Sequence, residues 1–159
     1  MVIADPAKAV VTLPDAYLIG IGKVCVQWGN LEAVMELVLV KLSGMDLWDA
    51  RSKIMLNHMA WPMRMDIFKS LADQLMADHP RLKEYQTVAS HLKKAQEGRN
   101  RVVHSHWGFE DGKVTAARAS ARGKLKLSLE EITIEELDGI LRDINVATAA
   151  LYNLVLGNP

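Results

Sequence analysis

The chain reads as an all-α domain: a bundle of four to five helices with a small β-hairpin inserted before the last helix. Three observations lead there. Apolar residues recur at steps of three and four over most of the 159 residues, which is the helical period. Between about residues 105 and 129 that period gives way to strict alternation, the mark of strands. It then returns behind Thr133 and Glu136, the spacing of a helix-capping box.

Taken in order, Pro14-Asp15 opens a first helix with the apolar stripe Leu18, Ile21, Cys25, Trp28, Met35, Leu39 and Leu42. Ser43-Gly44 stops it. A shorter helix is expected from about Asp46 to Asn57. Trp61-Pro62 starts the third, because proline suits the first helical turn; Met65, Phe68, Leu71, Ala72 and Leu75 form its apolar side. His79-Pro80 ends that helix. The fourth is expected from near Arg81, carrying Tyr85, Val88, Leu92, Ala95, Val102 and Val103. Trp107 and Phe109, then Val114 and Ala116, alternate with polar residues on either side of Asp111-Gly112, a strong two-residue hairpin signal. Lys124 to Leu129 alternates again and is a candidate third strand. The last helix shows Leu137, Ile140, Leu141, Ile144, Ala147, Leu151 and Leu154. No repeat, low-complexity stretch or linker divides the chain. It is one domain over residues 1–159, with a core at about 15–156 and the insertion at about 105–129.

Half of the residues are hydrophobic and one is a cysteine, so a core can form without a disulfide framework, as suits a reducing compartment. No apolar run approaches the ~20 residues that span a bilayer, and Met1 to Pro14 lacks the pattern of a signal peptide. A cytoplasmic protein without a membrane partner is the expectation. The net charge is zero, but unevenly distributed. Residues 91–126 hold nine Lys or Arg against three acids, whereas residues 127–159 hold six acids against Arg142. A basic segment of that kind attracts phosphate, or is simply a solvated hairpin.

Two charges interrupt apolar stripes: Glu32 in the first helix and Arg99 in the fourth. A lone buried charge is very costly and arginine does not shed its proton. The two are therefore expected to face each other as an ion pair, unless either helix is rotated enough to bring its charge to the surface. Breaking such a pair costs on the order of 3–5 kcal/mol. Asn100 and His104 are four apart and share a helical face, with Arg101 beside them. Arg99 lies about 140° around the helix from His104 at 3.6 residues per turn. Within one chain those two meet only at a frayed helix end or through arginine's length; otherwise a second chain brings its own copy.

The string Arg99-Asn100-Arg101-Val102-Val103-His104 resembles the Arg-x4–6-His signature of the HEPN superfamily, in the form where a polar residue, often Asn, directly follows the Arg. Trp28-Gly29-Asn30-Leu31-Glu32 resembles the Trp-x-x-Leu-Glu pattern of many helical proteins with the same ending. The resemblance extends over about residues 15–156. It implies a metal-independent endoribonuclease or an RNA-binding domain, acting as a homodimer that pairs two motifs, with RNA and an antitoxin or other protein as partners. Members without catalysis only bind, so the competing class is a helical interaction module for a protein or nucleotide.

The chemistry suits the active kind. RNA cleavage needs a base for the 2′-OH, an acid for the 5′-oxygen and a cation for the phosphate. Histidine, with an unperturbed pKa of about 6.5, serves the proton transfers. Arginine offers a planar fork to phosphate. On this reading His104, Arg99 and Asn100 are catalytic, Asn100 orienting His104 or donating to phosphate. Arg101, His106 and Lys94 bind substrate, and Glu32 supports through the ion pair. The hairpin is an addition to the minimal bundle; it covers the groove, lines it with basic residues, or binds a partner.

Other chemistries fit poorly. A di-metal bundle needs Glu-x-x-His pairs, but Met55, Met76, Val88, Arg101 and Val103 stand three before the histidines. His104-x-His106 lacks companions for a metal, and no metal or cofactor is expected. Cys25 and the methionines at 55, 59, 63 and 65 read as core. Gly20-x-Gly22 has no preceding strand, and Gly123-Lys124 lacks the rest of a phosphate loop. Trp48 and Trp61 either pack the second helix or lie at a dimer seam.

Overall fold

The computed structural model describes residues 12–120 and 126–157. Along them run α1 (Asp15–Ser43), α2 (Ala50–Asn57), α3 (Trp61–Leu75), α4 (Tyr85–Val103), β1 (His106–Glu110), β2 (Lys113–Ser120), β3 (Lys126–Glu131) and α5 (Ile134–Val155). The fold is helix-dominated but not purely a bundle. The insertion is a three-stranded antiparallel sheet of order β1-β2-β3 rather than a lone hairpin. The expected strand from Lys124 falls partly outside the described residues, as do Arg122, the Gly123-Lys124 pair and the first eleven residues.

The long helices α1, α3, α4 and α5 pack around one core: α1 lies against α5 and α3, and α4 against α5 and α3. Phe68, Leu31, Met35, Leu92, Ile144 and Leu151 sit at its centre, each at most 2% exposed. The sheet closes one end of this core through Ala116 and, just beyond β3, Ile132.

Local chemistry accounts for the element boundaries. Thr133 accepts from the Glu136 N–H at 3.2 Å while the Glu136 carboxylate accepts from the Thr133 N–H at 2.9 Å, completing the capping box that starts α5. α2 starts later than Asp46, where the Asp49 side chain accepts from the Arg51 N–H at 2.9 Å. α3 starts at Trp61 with Pro62 in its first turn. Its successor begins at Tyr85, because a 3₁₀ turn over Pro80–Glu84 intervenes after His79-Pro80. Between β1 and β2, Asp111 and Gly112 both take positive φ, 51° and 76°. A two-residue turn that matches the strand twist needs this at both positions, and glycine carries the second without steric cost.

Two faces differ from the sequence reading. The buried stripe of α1 is Val24, Trp28, Leu31, Met35, Val38 and Leu39. Leu18 is 51% exposed, and Cys25 is exposed rather than in the core. α1 is apolar almost all round, so periodicity alone does not select its inner face. Its outward face carries Leu18, Ile19, Val26 and Leu37 in solvent. On β3, Leu127 and Leu129 are more than 70% exposed. They share the outer side of the sheet with Ala119 and Ala117, their partners in register. Met55 and Met63 are likewise exposed, whereas Met65 is core. Trp61 is buried with its ring centroid 4.5 Å from that of Trp28, while Trp48 is 82% exposed.

Candidate functional site

The C-terminus of α4 is tied down group by group. The last carbonyls of a helix lack intrahelical partners and need others. Here the His104 N–H donates to Asn100 O at 3.2 Å. Ser105 Oγ donates to Arg101 O at 2.6 Å, and Trp107 Nε1 donates to Val102 O at 3.1 Å. Ser105 and Trp107 therefore lock the end that carries the motif. Neither was singled out for that role from the sequence, although a hydroxyl and an indole N–H directly after a helix are both suited to orphan carbonyls.

This ending brings Arg99 and His104 together within one chain. His104 is the capping residue at φ −102° and ψ 15°, off the helical spiral. From there its Nε2 lies 3.1 Å from Arg99 Nη1. Both routes admitted by the sequence, the helix end and arginine's length, contribute. The same Nη1 donates to Asn100 Oδ1 at 3.2 Å. A guanidinium only donates, so a hydrogen bond in this contact takes His104 Nε2 as its acceptor. Asn100 retains its amide N–H groups as donors.

Arg99 does not pair with Glu32. No ion pair joins them, and Glu32, half-buried on α1, has no ion pair among the described residues. Trp28, one turn earlier on α1, receives the guanidinium instead: the Arg99 Cζ lies 5.5 Å from the centre of its ring. The face of an indole attracts a cation without the second desolvated charge that a carboxylate would bring. The Arg99 Nε is buried and makes no hydrogen bond among the described residues.

The charge asymmetry of the sequence is largely cancelled by folding. Lys94 pairs with Asp143 at 2.9 Å, Arg101 with Glu130 at 2.9 Å and Glu136 at 3.0 Å, Lys113 with Glu131 at 3.1 Å, and Arg118 with Glu130 at 3.6 Å. Lys93 approaches Glu97 at 4.0 Å. Among the described side chains of residues 91–119, Arg99 is the one Lys or Arg without a carboxylate partner.

None of the three residues assigned to substrate from the sequence, Arg101, His106 and Lys94, hydrogen-bonds the Arg99–His104 pair among the described residues. Arg101 is a half-buried clamp joining α4, β3 and α5. Burial alone would lower its pKa, but Glu136 and Glu130 outweigh that and raise it. Glu136 is held below the ordinary carboxylate range, first by the Thr133 N–H and, against burial, by Arg101. Lys94 is committed to α5 through Asp143. His106 begins β1, exposed, and makes no hydrogen bond to the Arg99–His104 pair among the described residues. His104 itself is exposed. No group of three or more His, Cys, Asp or Glu among the described residues is disposed to hold a metal ion. No described helix is long and apolar enough to cross a membrane. No protein-family model, curated protein or solved structure matches the chain.

Proposed function

We propose that the Arg99–Asn100–His104 cluster is an RNA phosphate site and that the protein is a HEPN-like, metal-independent endoribonuclease acting as a homodimer. One observation carries this reading. A half-buried guanidinium with no carboxylate is held against an exposed imidazole in a segment where every other described Lys or Arg has a carboxylate within 4.0 Å. An arginine without a carboxylate partner is suited to an incoming anion. A phosphate oxygen that takes the Arg99 Nη1 donor frees the His104 Nε2 lone pair. That nitrogen then accepts the 2′-OH proton as the oxygen attacks phosphorus. The P–O5′ bond breaks, an acid returns a proton to the 5′-oxygen, and a 2′,3′-cyclic phosphate is left. Asn100 donates to the phosphate. A second His104 across a two-fold axis supplies the acid, so the base and the acid come from two copies.

Single-stranded RNA of mixed sequence tests this. Wild type should cleave it with or without EDTA and leave cyclic phosphate ends, and His104→Ala should not cleave at equal concentration and intact fold. Equal rates for the two would refute the assignment. A second reading, a non-catalytic interaction module, is favoured by the outward face of α1, where Leu18, Ile19, Val26 and Leu37 lie in solvent. Absence of cleavage by either protein, together with a stable complex with another protein, would select it. Sedimentation at micromolar concentration tests the dimer; a monomer would remove the paired-motif mechanism.

A further inference from the structure

We infer that the groove between α3 and α4 is a track for a single-stranded polynucleotide leading into the Arg99–His104 site, an inference that rests on the reading of that site as an RNA phosphate site. The groove has a volume of about 540 Å3, and Met65, Lys69, Tyr85, Gln86, Lys93 and Gln96 are among its walls.

Its direction follows from the helices. Along α4 the wall residues Gln86, Ser90, Lys93 and Gln96 continue to Asn100 at steps of three and four, which is one helical face, and His104 caps the helix beyond it. At about 1.5 Å per residue, the path from Gln86 to His104 is about 27 Å long, room for several nucleotides. α3 runs back along α4. The far end is marked by Tyr85 Oη donating to Asp73 at 3.1 Å. The near end is Pro62 and Gln96, beside Trp61, whose ring lies tilted against that of Trp28, and Trp28 in turn carries Arg99. Asn100, one turn beyond Gln96 on the same face of α4, continues that end toward the motif.

Its chemistry matches the ligand. Proteins that hold single strands without sequence preference combine a cationic groove with aromatic platforms. Lys69 has no ion pair among the described residues. Lys93 reaches only to 4.0 Å from Glu97, with both side chains more than two-thirds exposed. Asp66 is the carboxylate among these wall residues, alongside Lys69 and Lys93, while Asp73 is engaged by Tyr85 at the far end. Gln86 and Gln96 offer amides to bases, and Tyr85 a half-buried ring. Two other cavities lie near the C-terminal end of α1.

The test uses the full chain and 2′-O-methyl RNA, which cannot be cleaved by 2′-OH attack, as a dinucleotide and as a strand of about ten nucleotides. Fluorescence anisotropy compares wild type, Lys69→Glu/Lys93→Glu and Arg99→Ala, with Lys69→Ala/Lys93→Ala as the milder form should charge reversal perturb folding. The affinity advantage of the long strand over the dinucleotide should fall by about tenfold or more in the reversal variant. The slope of log K against log salt should become shallower by about 1.4 when two phosphate contacts are lost from a single strand. An unchanged advantage and slope, with binding still abolished by Arg99→Ala, would overturn the groove while leaving the phosphate site. No binding of either RNA by wild type would overturn both.

Discussion

Replacing Arg101 with alanine separates a structural arginine from a substrate-binding one. In the structure its guanidinium donates to Glu130 and Glu136 at 2.9 and 3.0 Å and joins three elements around the end of α4. A hydrogen bond to a charged group contributes about 1.5–3 kcal/mol. The Arg101 side chain is 28% exposed and the glutamates 38% and 39%, so solvent screening places each bond at the low end of that range or below it. Neither carboxylate is stranded by the change: Glu136 keeps its cap on Thr133, and Glu130 keeps Arg118 at 3.6 Å. The expected loss is therefore about 1.5–3 kcal/mol, well short of the ~3–5 kcal/mol of a fully buried pair. At roughly 2–4 °C per kcal/mol for a chain of this size, Tm should fall by about 3–12 °C. Thermal and urea unfolding monitored by circular dichroism would measure it, with amide exchange showing the earliest loss of protection in β3 and the first turn of α5. A Tm unchanged within about 1 °C, together with loss of RNA binding, would refute the clamp and return Arg101 to the ligand.

Arg99→Ala should behave in the opposite way: RNA binding and cleavage lost, stability lowered by only about 0.5–2 kcal/mol for the indole contact; a loss of 3–5 kcal/mol would show that Glu32 does depend on Arg99. Gly98→Ala places a Cβ 3.0 Å from Ile140 Cγ2 and 3.2 Å from Cγ1, so overpacking of about 1–3 kcal/mol should exceed the helix-propensity gain of about 1 kcal/mol; a raised Tm would contradict the tight α4–α5 approach. The depressed Glu136 pKa contributes stability that is complete above the unfolded-state value of about 4.3 and is lost as pH falls through the lower folded value. The gap in urea midpoint between wild type and Glu136→Gln should accordingly be constant near neutrality and narrow below about pH 4.3; a gap that widens in acid would reverse the assignment.

How much of the site was legible depends on the range of the forces that place each residue. The cap at Thr133, the turn at Asp111-Gly112 and the start at Trp61-Pro62 are set within a few residues of backbone, and the structure has them where the sequence puts them. The Arg-Asn-x3-His string could be located on α4 for the same reason. Its internal contact could not, because ideal helical geometry separates Arg99 from His104, and only the capping conformation of His104, secured by Ser105 and Trp107, closes the gap to 3.1 Å. The partners of charges were also out of reach. Glu32 and Arg99 each interrupt an apolar stripe, yet Trp28 receives the arginine, because what faces a side chain is decided by helix rotation and not by spacing along one helix. α1 shows this most plainly: its spacing reads Cys25 as core, yet with α3, α4 and α5 covering one face Val24 is buried and Cys25 exposed. The basic and acidic halves of the C-terminal region were visible in the sequence. That they neutralise one another, leaving Arg99 without a carboxylate among the described residues 91–119, was decided by the packing of α4, the sheet and α5, since an ion pair needs approach within a few ångströms that local sequence does not encode.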